Sequence, residues 1–270
     1  MPYVVQPHGM IDASDNPLAK RLDAFATKAL LRDAKAVLTL TDREVNDITG
    51  IEPAARTAPI SNGIRVGELV PYEDRDDVVL FLARLHPRKR PLAFVEMARA
   101  LKETMPTTRF VLAGPDEGEG PAVRTAIADA GMGDRLEWIG AASPDQTEGL
   151  LASARAYVLP SFGEVFPMTI LESLRVGTPV VTTDSLGIAA DCERFGAAAL
   201  TDGSVSGLST ALSRVLGSAQ VAKNLRLGGL EFLRESLDIR DVASRLEQRY
   251  VEAGLKASVL STAHEEGELE

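Results

Sequence analysis

From Asp77 onward, short β-branched or apolar runs alternate with segments of helical period, and each run is closed by Gly, Pro or a polar turn. Residues 78–83 lead into a helix over 91–103, residues 109–113 into one over 122–130, and residues 136–139 into one over 145–153. Residues 156–159 then lead into a helix over 167–175, and a run over 179–182 follows. Strands that alternate with helices are joined by long, right-handed crossovers, which produce a parallel sheet covered on both faces. The pattern therefore predicts a doubly wound α/β domain. Ligands of such sheets bind outside the carboxyl ends of the strands. The polar chemistry is accordingly expected in five loops: residues 84–90, Gly114-Pro115-Asp116, Gly140, residues 161–164 and residues 182–184.

The first 75 residues read as a thinner unit. Short strands are expected over 3–5, 36–40 and 57–60 and helices over 18–32 and 42–48, with the turn Ser61-Asn62-Gly63 after the third strand. Residues 67–76 are polar, contain Pro71 and read as a linker. After Gly196 the chain reads as mostly helical, over 205–216, 219–237 and 241–257. The last of these carries Val242, Leu246, Tyr250 and Val251 near helical spacing, a face that needs a partner. The resulting division is 1–70, 71–238, a helix over 239–257, and an acidic, disordered tail over 258–270.

Composition narrows the function classes. Lys and Arg number 29 against 39 Asp and Glu, which opposes the basic footprint that sequence-independent nucleic-acid binding requires, so no nucleic-acid partner is expected. Cys192 is the single cysteine, which excludes an internal disulfide, and His8, His86 and His264 lack zinc-ligand spacing. No stretch approaches the roughly 18 apolar residues of a membrane span, and no basic-then-apolar leader opens the sequence. The expected location is cytoplasmic, with peripheral membrane contact left open. A shared helix face of Arg21, Lys28 and Arg32 could touch an anionic acceptor or a membrane surface, although an ordinary solvated face is the simpler account. No nucleophile elbow and no P-loop occur, which argues against serine hydrolases and P-loop enzymes. A nicotinamide-binding domain is disfavoured because no Gly-x-Gly-x-x-Gly follows the first strand of the alternating region.

The densest signal is Pro160-Ser-Phe-Gly-Glu164-Val-Phe-Pro-Met-Thr-Ile-Leu-Glu172, with two carboxylates eight positions apart across a loop and a helix start. Pro167 suits the first helical position, since its missing N–H would find no partner there anyway. The N–H groups of Met168 and Thr169 then face out for phosphate or sugar oxygens, with Phe166 just ahead of them. Glu172, a turn and a half into the helix, can accept from both hydroxyls of a ribose, though taken alone it is an ordinary exposed glutamate. Glu164 can orient sugar hydroxyls, or simply sit as an anion at the positive end of a helix. In the second signal, Arg84-Leu85-His86-Pro87-Arg88-Lys89-Arg90, four cations follow a strand directly. Arg can grip two oxygens of a diphosphate and Lys can act as a point charge, so no metal is required. A solvated basic turn is the plainer reading of residues 88–90. The third signal is His8-Gly9 at the end of a short apolar run, where a lone loop histidine is more often structural than catalytic.

Together these residues resemble the retaining glycosyltransferases of the two-Rossmann-domain (GT-B) architecture, in their group 1, or family 4, branch. Ala83-Arg84-Leu85 with Lys89 looks like that family's Gly-Arg-Leu-x-x-x-Lys-Gly segment, and Glu164 to Glu172 looks like its Glu-x7-Glu signature. Leu112-Ala113-Gly114, Trp138-Ile139-Gly140 and Gly177-Thr-Pro179 fall where the family has strand ends. Pro7-His8-Gly9, Thr41 to Glu44 and Asn62-Gly63 resemble the later part of its acceptor domain. The resemblance implies transfer of a sugar from a nucleotide-diphosphate donor with retained configuration and without a metal or other cofactor. Its usual proposed route is same-face attack with the leaving phosphate as base. It implies that Arg84 and Lys89 hold the diphosphate, Glu172 the ribose and Glu164 the donor sugar. Gly114 and Gly140 would border the nucleotide, the loop after Phe166, with Pro167 and the Met168 and Thr169 amides, would help hold the sugar, and His8 would serve the acceptor side. The final helix would cross back onto the acceptor domain.

Four departures from the family pattern stand out. Pro167 occupies a usual Gly, Arg90 replaces the Gly after Lys89, and residues 183–190 lack an expected Glu. The opening strand, glycine-rich loop and helices of the acceptor domain are not seen before His8. The expected fold is thus a complete Rossmann-like donor domain with a truncated Rossmann-like acceptor domain. The chain would then be a fragment, a shortened reading frame, or half of an enzyme completed by a second chain or an oligomer. The acceptor, whether sugar, lipid or small molecule, is not named by these residues. The alternative function is a non-catalytic nucleotide-sugar-binding module or partner subunit.

Overall fold

The computed structural model describes residues 2–11 and 26–254 and divides into two compact units, one of residues 64–238 and one formed by residues 1–63 with 239–270. The expected tail over 258–270, Arg21, and the start of the helix expected over 18–32 lie outside the described residues.

The larger unit is built on β4 (Asp76–Leu82), β5 (Arg109–Ala113), β6 (Leu136–Trp138), β7 (Ala154–Leu159), β8 (Val180–Thr183) and β9 (Ala199–Thr201). They form one six-stranded sheet in the order β6-β5-β4-β7-β8-β9, and every pairing is parallel. This is the doubly wound order in which the chain starts in the middle, runs to one edge, returns and runs to the other. Along β4 the side chains alternate between two cores. Val79 and Phe81 point into one with Phe94, Phe110, Leu112 and Leu212, while Leu80 and Leu82 point into the other with Tyr157, Leu159, Leu171 and Phe232.

Helices cover both faces, which is why the central strands read as unbroken apolar runs. One face carries α3 (Pro91–Leu101), α4 (Gly120–Ala130) and α8 (Val205–Gly217), and the other carries α5 (Pro144–Ser153), α6 (Met168–Arg175) and α7 (Ala189–Phe195). The long α9 (Ala219–Ser236) contributes to both cores. Local chemistry sets the helix starts. Ser143 and Gln146 form a reciprocal capping box ahead of Pro144, and the Ser204 hydroxyl accepts from the Gly207 N–H at 2.9 Å.

One expectation for this unit needs correction. Residues 67–76 are not a linker but part of the unit, because Arg75 is buried there and its guanidinium must be satisfied. It donates to the carbonyls of Ala154 (2.9 Å), Leu151 (3.3 Å) and Val176 (2.6 Å) and to the Thr178 hydroxyl. Burial, reinforced by nearby Arg226, lowers its pKa to about 10. The boundary accordingly falls between Gly63 and Ile64 rather than at residue 70.

The smaller unit holds β1 (Val4–Val5), β2 (Ala36–Thr39) and β3 (Thr57–Pro59) as a parallel sheet in that order, with α1 (Lys28–Asp33) and α2 (Asp42–Ile51). Thr41 caps α2 by accepting from the Glu44 N–H. The last described helix, α10 (Ile239–Glu252), places Val242 and Leu246 against Ala36, Leu38, Ala58 and Ile60 of this sheet. That contact covers the first half of the expected apolar face, while Tyr250 and Val251 are exposed. Among the described residues no helix is long and apolar enough to cross a membrane.

Candidate active site

The strand order fixes where a ligand can sit. β4 pairs with β5 on one side and β7 on the other, so the connections leaving their carboxyl ends diverge and open a crevice at the switch point. A cavity of about 360 Å³ lies there, bordered by Arg84, Gly114, Thr147, Thr169 and Glu172 among others. That volume falls within the roughly 300–1,000 Å³ of small-molecule pockets. A larger groove of about 540 Å³ runs along the edge strand β6, away from the switch point, and its two arginines are already engaged. Arg109 pairs with Glu137 at 2.5 Å and Arg124 lies 4.3 Å over the Trp138 ring. The switch-point cavity is therefore the candidate site.

Arg84 lies two residues past the end of β4, and its side chain is 59% exposed. Its Nη1 donates to both carboxylate oxygens of Glu117 at 2.8 Å. Glu117 reaches it because the loops after β4 and β5 run together: the Leu85 N–H donates to the Pro115 carbonyl, and the Glu117 and Glu119 N–H groups donate to the Leu85 carbonyl. Gly114 makes this approach sterically open. Its φ is +147°, and a Cβ there would lie 1.9 Å from the Ala83 carbonyl oxygen. Its N–H donates to the Gly140 carbonyl at 2.7 Å. Gly140 itself fixes the strand ends rather than bordering the cavity.

Lys89 ends a 3₁₀ turn over Pro87–Lys89 and pairs with Glu164, Nζ to Oε2, at 2.5 Å. The two side chains are only 17% and 13% exposed. The second oxygen of Glu164, Oε1, is buried with no protein partner. An unmade bond of this kind costs about 1–3 kcal/mol, which a ligand hydroxyl would recover. The sequence grouped Arg84 with Lys89, yet the structure gives them separate carboxylate partners.

Helix α6 begins at Met168, so Pro167 is its extended cap residue, with φ −77° and ψ 102°, and not the first helical residue as expected. The N–H groups of Met168 and Thr169 stand in the first turn, where a helix offers them no acceptor. The side chains of Phe166 and Met168 are partly buried and pack against the core. Glu172 is half-buried at the cavity wall; desolvation raises its pKa and nearby Arg175 partly offsets the rise.

Two contributors escaped the sequence reading. Glu117 is one. Tyr157 is another: its buried hydroxyl donates to the Leu82 carbonyl at 3.1 Å and pairs with the Thr169 hydroxyl at 2.8 Å, tying β4 to the start of α6. Burial holds the phenol well above its ordinary pKa, so it remains a neutral strut. An aromatic residue in an apolar strand gives no sign of this role. Arg90, marked in the sequence only by the glycine it replaces, takes the left-handed conformation, φ 55° and ψ 52°. For a residue with a Cβ this costs about 1–2 kcal/mol.

His8 belongs to the smaller unit. It is exposed, with φ 52°, in a turn held by the buried Glu44, whose two oxygens accept from the Gly9 and Leu40 N–H groups at 2.6 Å each.

Residues 70–226 match the family model described as glycosyl transferases group 1. The chain is 29% identical over 150 residues to 2-deoxystreptamine N-acetyl-D-glucosaminyltransferase of Niallia circulans, covering 55% of this chain and 38% of that protein. It is 29% identical over 181 residues to D-inositol 3-phosphate glycosyltransferase of Acidothermus cellulolyticus, covering 63% and 40%. The match thus spans about two-fifths of the length of these relatives. Among solved structures, Anabaena Alr3699/HepE in complex with UDP superposes with a TM-score of 0.80 at 18% identity, covering 93% of this chain and 72% of that one. Its complex with UDP-glucose gives a TM-score of 0.79 at 17% identity, with the same coverage. At these identities the likeness is one of fold.

Proposed function

The chain belongs to the group 1 glycosyl transferases, and from that premise we propose that it takes a sugar from a nucleotide-diphosphate donor bound at the β4/β7 crevice and transfers it with retention of configuration. The observation that carries this reading is the convergence of Arg84, Thr169 and Glu172 on one cavity at the switch point. In this reading Arg84 and Lys89 neutralise the diphosphate as the sugar–phosphate bond breaks, with no metal ion. Glu172 accepts from the ribose hydroxyls, and the Met168 and Thr169 amides hold phosphate or sugar oxygens. Glu164 orients the donor sugar through its unpartnered oxygen. The acceptor hydroxyl attacks the same face that the leaving phosphate departs from, and that phosphate takes its proton. His8 serves the acceptor, and the site is cytoplasmic.

The test is the anomeric proton coupling of the product formed from UDP-, GDP- or ADP-α-glucose, offered with D-inositol 3-phosphate or 2-deoxystreptamine as probe acceptors and with EDTA present. An α-linked product supports the reading, and a β-linked product overturns retention. Dependence on added divalent cations would overturn the metal-free step. Nucleotide binding with no transfer to either acceptor, or to water, would favour a nucleotide-sugar-binding module.

A further inference from the structure

Arg90 bears a large cationic side chain on a backbone conformation that favours glycine. Its guanidinium joins its own loop to two other strand-end loops. Nη1 donates to the Gly203 carbonyl after β9 at 2.7 Å and to the Pro160 carbonyl after β7 at 3.3 Å, and the group lies 4.3 Å over the Phe162 ring. The opposing position is shaped to receive it. A Cβ on Gly203 would lie 2.9 Å from both Arg90 Nη1 and the Phe162 ring. Arg88 reinforces the same junction: its carbonyl accepts from the Phe162 N–H at 3.1 Å, and its Nη2 donates to the Gly163 carbonyl at 2.8 Å. Between these two arginines, Lys89 meets Glu164. Strain concentrated at a single residue, repaid only by contacts to the neighbouring loops, indicates that the loop arrangement depends on it.

We propose that Arg90 is a positioning residue that clamps the segment 160–164 and so sets the Glu164 carboxylate against Lys89 for the donor sugar. This rests on the reading of Glu164 as the donor-sugar contact. Glycine at 90 would relieve the backbone and release the clamp, so fold stability and loop order are expected to separate. A clamp acting through Glu164 should change turnover and leave nucleotide binding intact, because the cavity itself is bordered by Arg84, Thr169 and Glu172.

The experiment compares wild type, Arg90→Gly, Arg90→Lys and Phe162→Ala. It reads melting temperature, affinity for UDP, GDP and ADP, hydrolysis of their glucose conjugates, and amide exchange over residues 160–166. For Arg90→Gly we expect a nucleotide affinity within about twofold of wild type and a kcat lowered about tenfold or more at a similar KM, the signature of lost transition-state positioning. Amide exchange should rise over 160–166 and stay unchanged around Arg84. Arg90→Lys should restore part of kcat, and Phe162→Ala, which keeps both hydrogen bonds, should fall between. Wild-type exchange over 160–166 in Arg90→Gly, or an unchanged kcat, would overturn the clamp. Should Arg90→Gly not fold, Phe162→Ala decides by the same readouts. A wild type that binds none of the nucleotides would instead overturn the donor-site reading beneath it.

Discussion

The two halves of the rim treat their cations in opposite ways. On the β4/β5 side Arg84 is 59% exposed and meets Glu117 at the surface, whereas on the β4/β7 side Lys89 and Glu164 are 17% and 13% exposed and enclose one another. A surface pair holds its partners weakly, while a buried pair depends on both members for its desolvation to be offset. The open half is thus suited to exchange its carboxylate for a phosphate, and the closed half to hold a fixed geometry.

The strongest challenge to this contrast is Lys89→Ala. It would leave the Glu164 carboxylate buried and unpaired, and the fold should lose about 3 kcal/mol in chemical denaturation. The double change Lys89→Met with Glu164→Gln should recover much of that loss while abolishing transfer. Arg84→Ala should do the reverse: stability should change by less than about 1 kcal/mol. Nucleoside-diphosphate affinity should fall by about 2 kcal/mol, the worth of hydrogen bonds to a charged group. If Arg84→Ala unfolds the protein, or Lys89→Ala leaves it as stable as wild type, the two halves are not distinct.

Glu172 gives a pH-dependent version of the same test. Desolvation raises its pKa in the folded state, so the folded protein binds this proton more tightly than the unfolded chain does. The contribution of this group to stability is present below the unfolded carboxyl pKa and is lost as pH rises through the folded one. Glu172→Gln should therefore melt higher than wild type at neutral pH, with the gain vanishing in acid, and it should bind nucleotide more weakly at neutral pH. A stability gain that grows in acid would reverse the sign and contradict the assignment. The smallest expected effect is that of Glu117→Gln, which removes a competing anion and should tighten nucleoside-diphosphate binding a few-fold, by about 0.5 kcal/mol. Weaker binding in calorimetry would mean that Glu117 positions Arg84 rather than competing for it.

Much of the larger unit is legible in the sequence because its signals are local. The runs at 78–83, 109–113 and 179–182 carry their own periodicity, and β4, β5 and β8 lie within a residue or two of them. The short edge strand β9 was not legible, since three residues between helices carry too little period. Residues 67–76 read as a linker from Pro71 and their polarity, yet Arg75 is polar and buried, and its acceptors lie 76 or more positions away. Arg84, Lys89 and Glu164 stand out in the sequence because strand-end loops concentrate polar chemistry, and Glu172 because it lies eight positions past Glu164 on the helix that follows. Their pairing does not, because the Arg84–Glu117 and Lys89–Glu164 contacts close across 33 and 75 positions of sequence. Arg90 was visible only as a missing glycine, and its contacts to Gly203 and Phe162 required the fold.

The central claim is that the β4/β7 crevice is a nucleotide-diphosphate-sugar site that depends on Arg84. It is tested most directly by a thermal-shift panel of UDP, GDP, ADP and their sugar conjugates against wild type and Arg84→Ala. At a hundred times its dissociation constant, a ligand should add about 2.7 kcal/mol to stability, which a melting curve resolves. In the wild type one base is expected to give a selective shift, which the roughly 2 kcal/mol weaker binding of Arg84→Ala cuts to about 0.9 kcal/mol, a third of its size. No shift with any nucleotide, or an equal shift in both proteins, would contradict the claim.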